Sequence, residues 1–192
     1  MLRYKVGYMV GSLAKDSINR KLAKALIRLS DPALEFSEIG FGELPLYSYD
    51  YDKDFPPVAT AFKAAIAECD AMLFVTPEYN RSIPGGLKNA IDWASRPYGT
   101  NAFARKPTAV IGTSPGAIGT AVAQQSLRSV LSFCNAPQMN HPEAYIQFTP
   151  GLIADDGEVT VASTEEFLRK FMAEFHAFVG RVLTVLPREV TG

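Results

Sequence analysis

The sequence predicts an α/β fold in which one parallel β-sheet carries helices on both faces. Apolar runs of strand length alternate with segments of helical periodicity along the chain. The central runs are almost continuously apolar, which is typical of parallel strands that are covered on both faces. Five such alternations favour five strands and five helices in one domain.

The five predicted strands differ in how clearly their residues indicate burial. The strongest is residues 71–75, where all five positions are apolar. Residues 6–10 and 108–111 form short, nearly continuous apolar runs, and residues 145–148 give a weaker signal. Residues 34–39 alternate apolar and polar positions, so we expect this strand nearer an edge of the sheet.

Each strand is followed by a stripe of apolar residues at helical spacing. The stripes fall at residues 18–29, 58–69, 87–94, 123–134 and 167–182. Pro187 is expected to end the last helix, which gives a domain over residues 1–186 and a tail over residues 187–192. Residues 40–57 form a long connection rich in Gly, Pro, Tyr and Asp, and connections of this length are often functional.

The composition excludes several classes of protein. Of the 192 residues, 47% are hydrophobic and 20% charged, and 19 basic residues face 20 acidic ones for a net charge of -1. This balance argues against a nucleic-acid or membrane partner. The only two cysteines, Cys69 and Cys134, favour a reducing compartment, and no secretory signal is recognised, so we expect a cytoplasmic protein. His141 and His176 stand alone, so no metal site is expected.

Ligands of such sheets bind beyond the carboxyl ends of the strands, which directs attention to three loops. The loop after the first strand offers Ser12, Ser17 and Asn19 at a helix start, a set of donors suited to an anion. It matches neither the Walker pattern nor the dinucleotide fingerprint. The simpler interpretation is that Ser17 only caps the helix.

The loop after the third strand combines stiffness with a flat side chain. Pro77 and Pro84 restrict the backbone, while Tyr79 offers an aromatic face and Asn80 polar contacts. This composition suits the edge of a planar heterocycle. The alternative is a plain connector in which Pro84 marks the start of a helix.

The loop predicted over residues 112–119 raises a hydrolase hypothesis. Gly112, Ser114 and Gly116 match a nucleophile elbow, and Asp155 or Asp156 and then His176 follow in the order of a catalytic triad. Pro115 argues against it, because the elbow uses the N–H after the serine as an oxyanion donor and proline has none. A turn that passes close to a flat ligand explains these residues better.

Together the three loops resemble the NAD(P)H-dependent FMN reductase and quinone reductase family. The matching segments are residues 11–13 with Ser17 and Asn19, residues 44–47, residues 76–93, and residues 114–116 with Gly119. The resemblance extends over nearly the whole chain, and residues 76–93 are its most specific part. It implies a flavodoxin-like three-layer sandwich, with a five-stranded parallel sheet in the order 2-1-3-4-5.

The resemblance also implies a set of FMN contacts. The first loop would hold the FMN phosphate, the loop after the third strand would surround the isoalloxazine, and the loop after the fourth would border the ribityl chain. Family members often carry Arg where this chain has Ala14, and Lys15 is the cation next to it. The implied cofactor-binding residues are Ser12, Leu13, Lys15, Ser17, Ile18, Asn19, Pro77, Glu78, Tyr79, Asn80, Ser82, Ser114 and Gly116.

The reaction implied by the resemblance is hydride transfer from NADPH or NADH to FMN, followed by reduction of a small-molecule acceptor. Quinones are the leading acceptor class, with flavins, azo compounds and metal ions as further ones. No side chain is expected to act as acid or base. The alternative is an FMN-binding electron carrier or redox sensor without NAD(P)H turnover, although carriers with this fold are typically strongly acidic.

A homodimer or homotetramer is expected, with the FMN site beside a subunit boundary. Trp93 lies one position off the inward stripe of its helix, and the connection at residues 40–57 is rich in aromatic residues. A monomer rarely leaves such a surface uncovered. Related reductases are dimers or tetramers, so the resemblance implies the same.

Overall fold

The computed structural model describes residues 3–187, which are built around a five-stranded parallel sheet. The strands run in the order β2-β1-β3-β4-β5, and every neighbouring pair is parallel. This confirms both the predicted fold class and the predicted strand order. The strands are β1 (Tyr4–Val10), β2 (Leu34–Glu38), β3 (Ala71–Val75), β4 (Thr108–Ser114) and β5 (Tyr145–Gln147).

Five α-helices cover the two faces of the sheet. Helices α1 and α5 pack on one face, and α2, α3 and α4 pack on the other. A short 3-10 helix, Tyr49–Lys53, interrupts the connection before α2. The predicted tail lies outside the described residues except for Pro187. The helices are α1 (Ile18–Leu29), α2 (Pro57–Ala67), α3 (Gly85–Ser95), α4 (Ala121–Phe133) and α5 (Ala162–Val185).

Strand β3 lies at the centre of the sheet and divides the core. All five of its residues are buried. Leu73 and Val75 pack toward α1 and α5, whereas Met72 and Phe74 pack toward α2, α3 and α4. Val75 also pairs with Val10 of β1 and with Ile111 of β4, so the loops that follow these strands emerge side by side.

Strand β4 extends three residues further than the sequence predicts. Gly112, Thr113 and Ser114 pair in parallel with β5, so the loop begins at Pro115 and not at Gly112. The prediction was wrong at these positions because two of them are polar. Their strand conformation depends on pairing with a segment more than 30 residues away.

Trp93 corrects the expectation about the exposed aromatic surface. Its side chain is fully buried, and its indole N–H donates to the carbonyl of Pro45 at 2.7 Å. The rings of Tyr47, Tyr51 and Phe55 surround it at centroid distances of 5.1–5.2 Å. The connection therefore folds back onto α3 of its own chain, and Trp93 does not lie on a surface that a second subunit could cover.

Candidate functional site

Three loops converge at the carboxyl edge of the sheet. They lie where the strand order reverses, because β2 is on one side of β1 and β3 is on the other. Such a switch in strand order opens a crevice for a ligand. The Tyr79 hydroxyl lies 3.5 Å from Ser12 Oγ and joins the first loop to the second. The Glu78 carboxylate accepts N–H groups of Val122 and Ala123 and joins the second loop to the third.

The first loop presents open donors at the N-terminus of α1. Ser17 caps the helix by accepting the N–H of Arg20 at 3.3 Å. The N–H groups of Ile18 and Asn19, in the first helical turn, have no acceptor within the helix. Ser12 is 4% exposed and lies at the same end of β1. Aligned peptide dipoles add positive partial charge here, so the arrangement suits a phosphate.

The exposed part of the first loop combines an apolar and a charged residue. Leu13 is 59% exposed, and its side chain lies over Gly42 and Gly86, near the ring of Phe41. Lys15 is exposed directly beside Ala14. A flexible ammonium group on an exposed side chain can approach an anion from solvent.

The side chain of Asn19 has a different partner from the one expected. It is 1% exposed, its amide donates to the carbonyl of Thr113 at 2.9 Å, and its oxygen accepts the N–H of Thr113 at 3.0 Å. These two bonds hold α1 against β4. The side-chain amide of Asn19 is thus bonded within the chain, while its backbone N–H is among the first-turn groups of α1 that have no acceptor inside the helix.

The second loop contains a tight turn with an uncommon backbone. Tyr79 and Ser82 exchange two backbone hydrogen bonds of 2.9 and 3.0 Å. Asn80 and Arg81, between them, have φ values of 50° and 63°. This left-handed pair is the geometry of a type I′ turn, which favours glycine and asparagine and strains arginine. Such strain is often found at functional sites.

The Glu78 side chain points away from solvent and is only 8% exposed. One carboxylate oxygen accepts the N–H groups of Val122 and Ala123 at 3.0 and 3.1 Å, and the other accepts from Arg81 at 3.0 Å. Thr120 makes no side-chain cap at this helix start. The sequence did not predict this contact, because Val122 and Ala123 lie 44 and 45 residues after Glu78 and no local pattern connects them.

The third loop turns tightly around Ser114, whose hydroxyl oxygen accepts the N–H of Gly116 at 3.0 Å. Gly116 itself is exposed. Gly112 lies beneath this loop in β4, where a Cβ would overlap the carbonyl oxygen of Thr76 and crowd the hydroxyl of Thr120. The close contact between β3 and β4 therefore requires glycine at this position.

The geometry contradicts the hydrolase hypothesis. His176 packs against the ring of Tyr4 and lies 3.7 Å from Asp31, at the amino end of the sheet. Ser114 ends β4 at the opposite, carboxyl end. Asp155, in turn, pairs with Lys21 on α1. These residues cannot form a triad.

The segment at residues 44–47 is fixed to α3 beside the first loop. Asn89 donates to the carbonyl of Pro45 at 2.9 Å and accepts the N–H of Tyr47 at 2.8 Å. The Tyr47 hydroxyl donates to Asp52 at 2.8 Å. Burial, and then this hydrogen bond, raises the pKa of the Tyr47 phenol to about 12. Leu46, held between the two anchored residues, is 82% exposed.

The donors and the aromatic surface belong to different loops, which meet where the Tyr79 hydroxyl lies 3.5 Å from Ser12 Oγ. Hydroxyl and backbone donors are concentrated at α1, while the rigid second loop presents Tyr79, which is 49% exposed. A Cβ on Gly85 would meet no atom within 4 Å, so there is open space beside this loop. A ligand with a phosphate at one end and a flat ring at the other fits this division. The fold and the site thus define a flavodoxin-like flavoprotein.

Comparison with known proteins gives the family. The model of the NADPH-dependent FMN reductase family matches residues 4–151. The chain belongs to this family, which assigns FMN as its flavin and NAD(P)H as the reductant. The three loops identified from the sequence, which follow β1, β3 and β4, all lie within the matched region.

Similar proteins support the assignment over almost the full chain. A 2-hydroxy-1,4-benzoquinone reductase from Burkholderia sp is 50% identical over 175 residues, which cover 91% of this chain and 96% of that protein. A quinone reductase from Pseudomonas putida is 47% identical, with 92% and 95% covered. The flavoenzyme NAD(P)H:(acceptor) oxidoreductase FerB from Paracoccus denitrificans superimposes with a TM-score of 0.89 at 48% identity, with 93% and 98% covered.

Proposed function

We propose that this protein is an FMN-dependent oxidoreductase that takes hydride from NAD(P)H and reduces quinones or related small acceptors. The observation that carries the proposal is the open N-terminus of α1 beside the rigid Tyr79 turn. The similarity to reductases of quinones over more than nine-tenths of the chain supports this acceptor class. Flavins, azo compounds and metal ions are further candidate acceptors.

In this proposal the first loop binds the phosphate of FMN. The hydroxyls of Ser12 and Ser17 and the N–H groups of Ile18 and Asn19 donate to it, and Lys15 contributes positive charge. Leu13 covers the apolar flank of this loop. Hydrogen bonds to a charged group are about twice as strong as neutral ones, so this loop supplies much of the affinity.

The other two loops bind the flavin ring and its chain. Pro77, Glu78, Tyr79, Asn80 and Ser82 surround the isoalloxazine, largely through their backbone groups. Ser114 and Gly116 border the ribityl chain. FMN supplies the redox chemistry by accepting hydride and passing electrons to the acceptor. The chain contributes preorganised amides that stabilise developing charge, and no side chain is required as acid or base.

Spectroscopy and kinetics test the proposal. The purified protein should show a flavin absorbance band that NADPH or NADH bleaches under anaerobic conditions and that a quinone restores. With one open flavin face, the two substrates should bind in turn and give parallel double-reciprocal plots. A band that neither nucleotide bleaches would favour the electron carrier or sensor, and no band after FMN addition would refute both.

We also propose that the protein is a homodimer or homotetramer with the FMN site beside a subunit boundary. Leu46, Tyr49 and Tyr98 are 74–85% exposed, and Tyr51 is 36% exposed. Aromatic residues of this kind often anchor an interface, and a stable one buries about 1,200–2,000 Å². Sedimentation equilibrium should give a multiple of 20.9 kDa. A monomer with FMN bound and full activity would contradict the proposal.

A cytoplasmic location is the last part of the proposal. NAD(P)H, its reductant, is supplied inside the cell. Cys69 and Cys134 are buried and do not form a disulfide, which suits a reducing compartment. Within residues 3–187, no helix is long and apolar enough to cross a membrane. Cell fractionation with an antibody against the protein should recover it with cytoplasmic markers, and recovery elsewhere would contradict this part.

A further inference from the structure

Helices α1, α3 and α4 begin at the carboxyl edge of the sheet near the proposed flavin, and α1 and α4 are the longest of the three. Helix α1 has 12 residues and α4 has 13, so both direct positive partial charge and first-turn N–H groups toward the same crevice. Either helix start would attract a phosphate on electrostatic grounds alone. Of the starts of α1 and α4, that of α1 has open first-turn groups beside serine hydroxyls.

At α4 the corresponding groups are already bonded by Glu78. Its carboxylate accepts the N–H groups of Val122 and Ala123, the second and third residues of the helix. A residue of the β3–α3 loop thus caps α4, while the local capping position, Thr120, instead accepts a hydrogen bond from Gln124. The carboxylate neutralises the helix start that an anion would otherwise occupy.

The same carboxylate also braces the strained turn. Arg81, with its left-handed backbone, donates from its guanidinium to the other oxygen of Glu78 at 3.0 Å. The Glu78 side chain is 8% exposed, so this carboxylate joins the turn at Tyr79 to α4 in a largely water-free position. The Glu78 carboxylate therefore connects the turn to the start of α4.

We propose that Glu78 is a positioning residue that fixes the flavin in one orientation. It holds the second and third loops together around the ring, and it occupies the start of α4 so that a phosphate does not bind there. This inference rests on the proposed function. It concerns how the chain orients FMN, and not whether the chain turns over NAD(P)H.

Amide hydrogen exchange, followed by NMR on the full-length protein, tests the contact without reference to activity. Val122 and Ala123 should exchange slowly in the wild type, and Glu78→Ala should accelerate both by about tenfold or more because their acceptor is gone. Glu165→Gln, on the surface of α5, is the matched control and should change neither. Unchanged exchange in Glu78→Ala would overturn the proposal.

Addition of inorganic phosphate tests the closure of α4. In flavin-free Glu78→Ala, phosphate should shift the amide resonances of Val122 and Ala123, because the helix start is then open to an anion. In the flavin-free wild type these two resonances should not respond, whereas those of Ile18 and Asn19 should. A response of Val122 in the wild type, or no response in the variant, would overturn this part.

Flavin titrations test the positioning role. Glu78→Ala should weaken FMN and riboflavin by the same factor, about tenfold, since the loops around the ring are released and the phosphate site is untouched. Glu78→Gln keeps a carbonyl acceptor and should restore both to within about threefold. Wild-type affinities in Glu78→Ala, or a loss confined to FMN, would overturn the proposal.

A second variant keeps the test decisive if Glu78→Ala does not fold. Arg81→Ala removes only the brace to the turn and should weaken both flavins equally, by about threefold. An unequal effect on the two flavins would contradict the proposal. A wild type that binds neither flavin would refute the proposed function, whereas the amide exchange result would still decide the role of Glu78 in the fold.

Discussion

The loop after β1 and the loop after β3 face the same crevice with opposite arrangements. The first leaves its donors open: two N–H groups of α1 have no acceptor within the helix, and residues 13–16 are exposed. The second bonds its own groups, through the Tyr79–Ser82 turn and the Glu78 carboxylate. A charged ligand group needs unoccupied donors, whereas a flat ring needs a surface whose shape does not change.

The largest effect is expected when a carboxylate is placed at the start of α1, as Glu78 of the second loop is placed at the start of α4. Ser17→Asp keeps an acceptor for the N–H of Arg20, so α1 remains capped, but it adds a carboxylate at the helix start. Like charges about 4 Å apart repel by about 4 kcal/mol at an effective dielectric constant of 20. FMN should bind several hundredfold more weakly, on the order of 4 kcal/mol. Riboflavin, which lacks the phosphate, should bind as before.

Fluorescence titration of both flavins measures this difference, and Ser17→Asn is the neutral control. Asparagine also caps helices well, so any loss seen only with aspartate is electrostatic. An FMN affinity within tenfold of the wild type in Ser17→Asp would place the phosphate elsewhere.

The next change removes the support beneath the first loop. Asn19→Ala leaves the N–H and the carbonyl of buried Thr113 without their partners. Each unsatisfied group costs about 1–3 kcal/mol, so the free energy of unfolding should fall by about 2–6 kcal/mol. Urea denaturation measures it, with Arg28→Ala on the exposed side of α1 as control. Because the amide is bonded to Thr113, any loss of FMN affinity should be matched by an equal loss for riboflavin.

Removal of a single donor gives a smaller effect. Ser17→Ala should weaken FMN by about ten- to hundredfold, since hydrogen bonds to charged groups contribute about 1.5–3 kcal/mol. Riboflavin affinity should stay unchanged, and the lost cap should lower the free energy of unfolding by about 1 kcal/mol. Equal weakening of both flavins would mean that Ser17 acts only on the helix.

A change outside both loops gives the smallest effect. Tyr47→Phe removes the hydrogen bond to Asp52 and should lower the free energy of unfolding by about 0.5–1.5 kcal/mol, with both flavin affinities unchanged. The raised pKa, about 12, means that the folded state holds the phenol proton more tightly than the unfolded state. Stability from this group is present below about pH 10 and is lost as pH rises toward 12. Denaturation across that range should show a shallower decline in the variant.

The sequence predicts correctly those helices and strands whose apolar pattern lies within the segment itself. The apolar stripe of α1 predicts a helix over residues 18–29, and the apolar run of β3 predicts residues 71–75, as the structure has them. Both segments carry their own periodicity, which tertiary contacts reinforce and do not override. The three loops could be chosen in advance because parallel strands direct their carboxyl ends to one edge.

The features that the sequence did not reveal depend on distant partners. Asn19 has the local setting of a phosphate donor, but its partner Thr113 is 94 residues away. Trp93 lies off its helical stripe and is buried because a connection some 40 residues earlier folds over it. The tie between Glu78 and Val122 is of the same kind. Without knowledge of the packing, each residue reads as exposed or as available to a ligand.

The glycine at position 112 also bears on how short motifs are recognised. Close packing of β4 against Thr76 and Thr120 excludes every side chain there, whatever the chain does chemically. Gly112, the first residue of the apparent elbow, is therefore required by packing. Its presence two positions before Ser114 is no evidence that Ser114 is a nucleophile. Any chain that packs two strand ends this tightly will present a glycine at that place, and a search by pattern alone will keep mistaking a spacing constraint for a nucleophile.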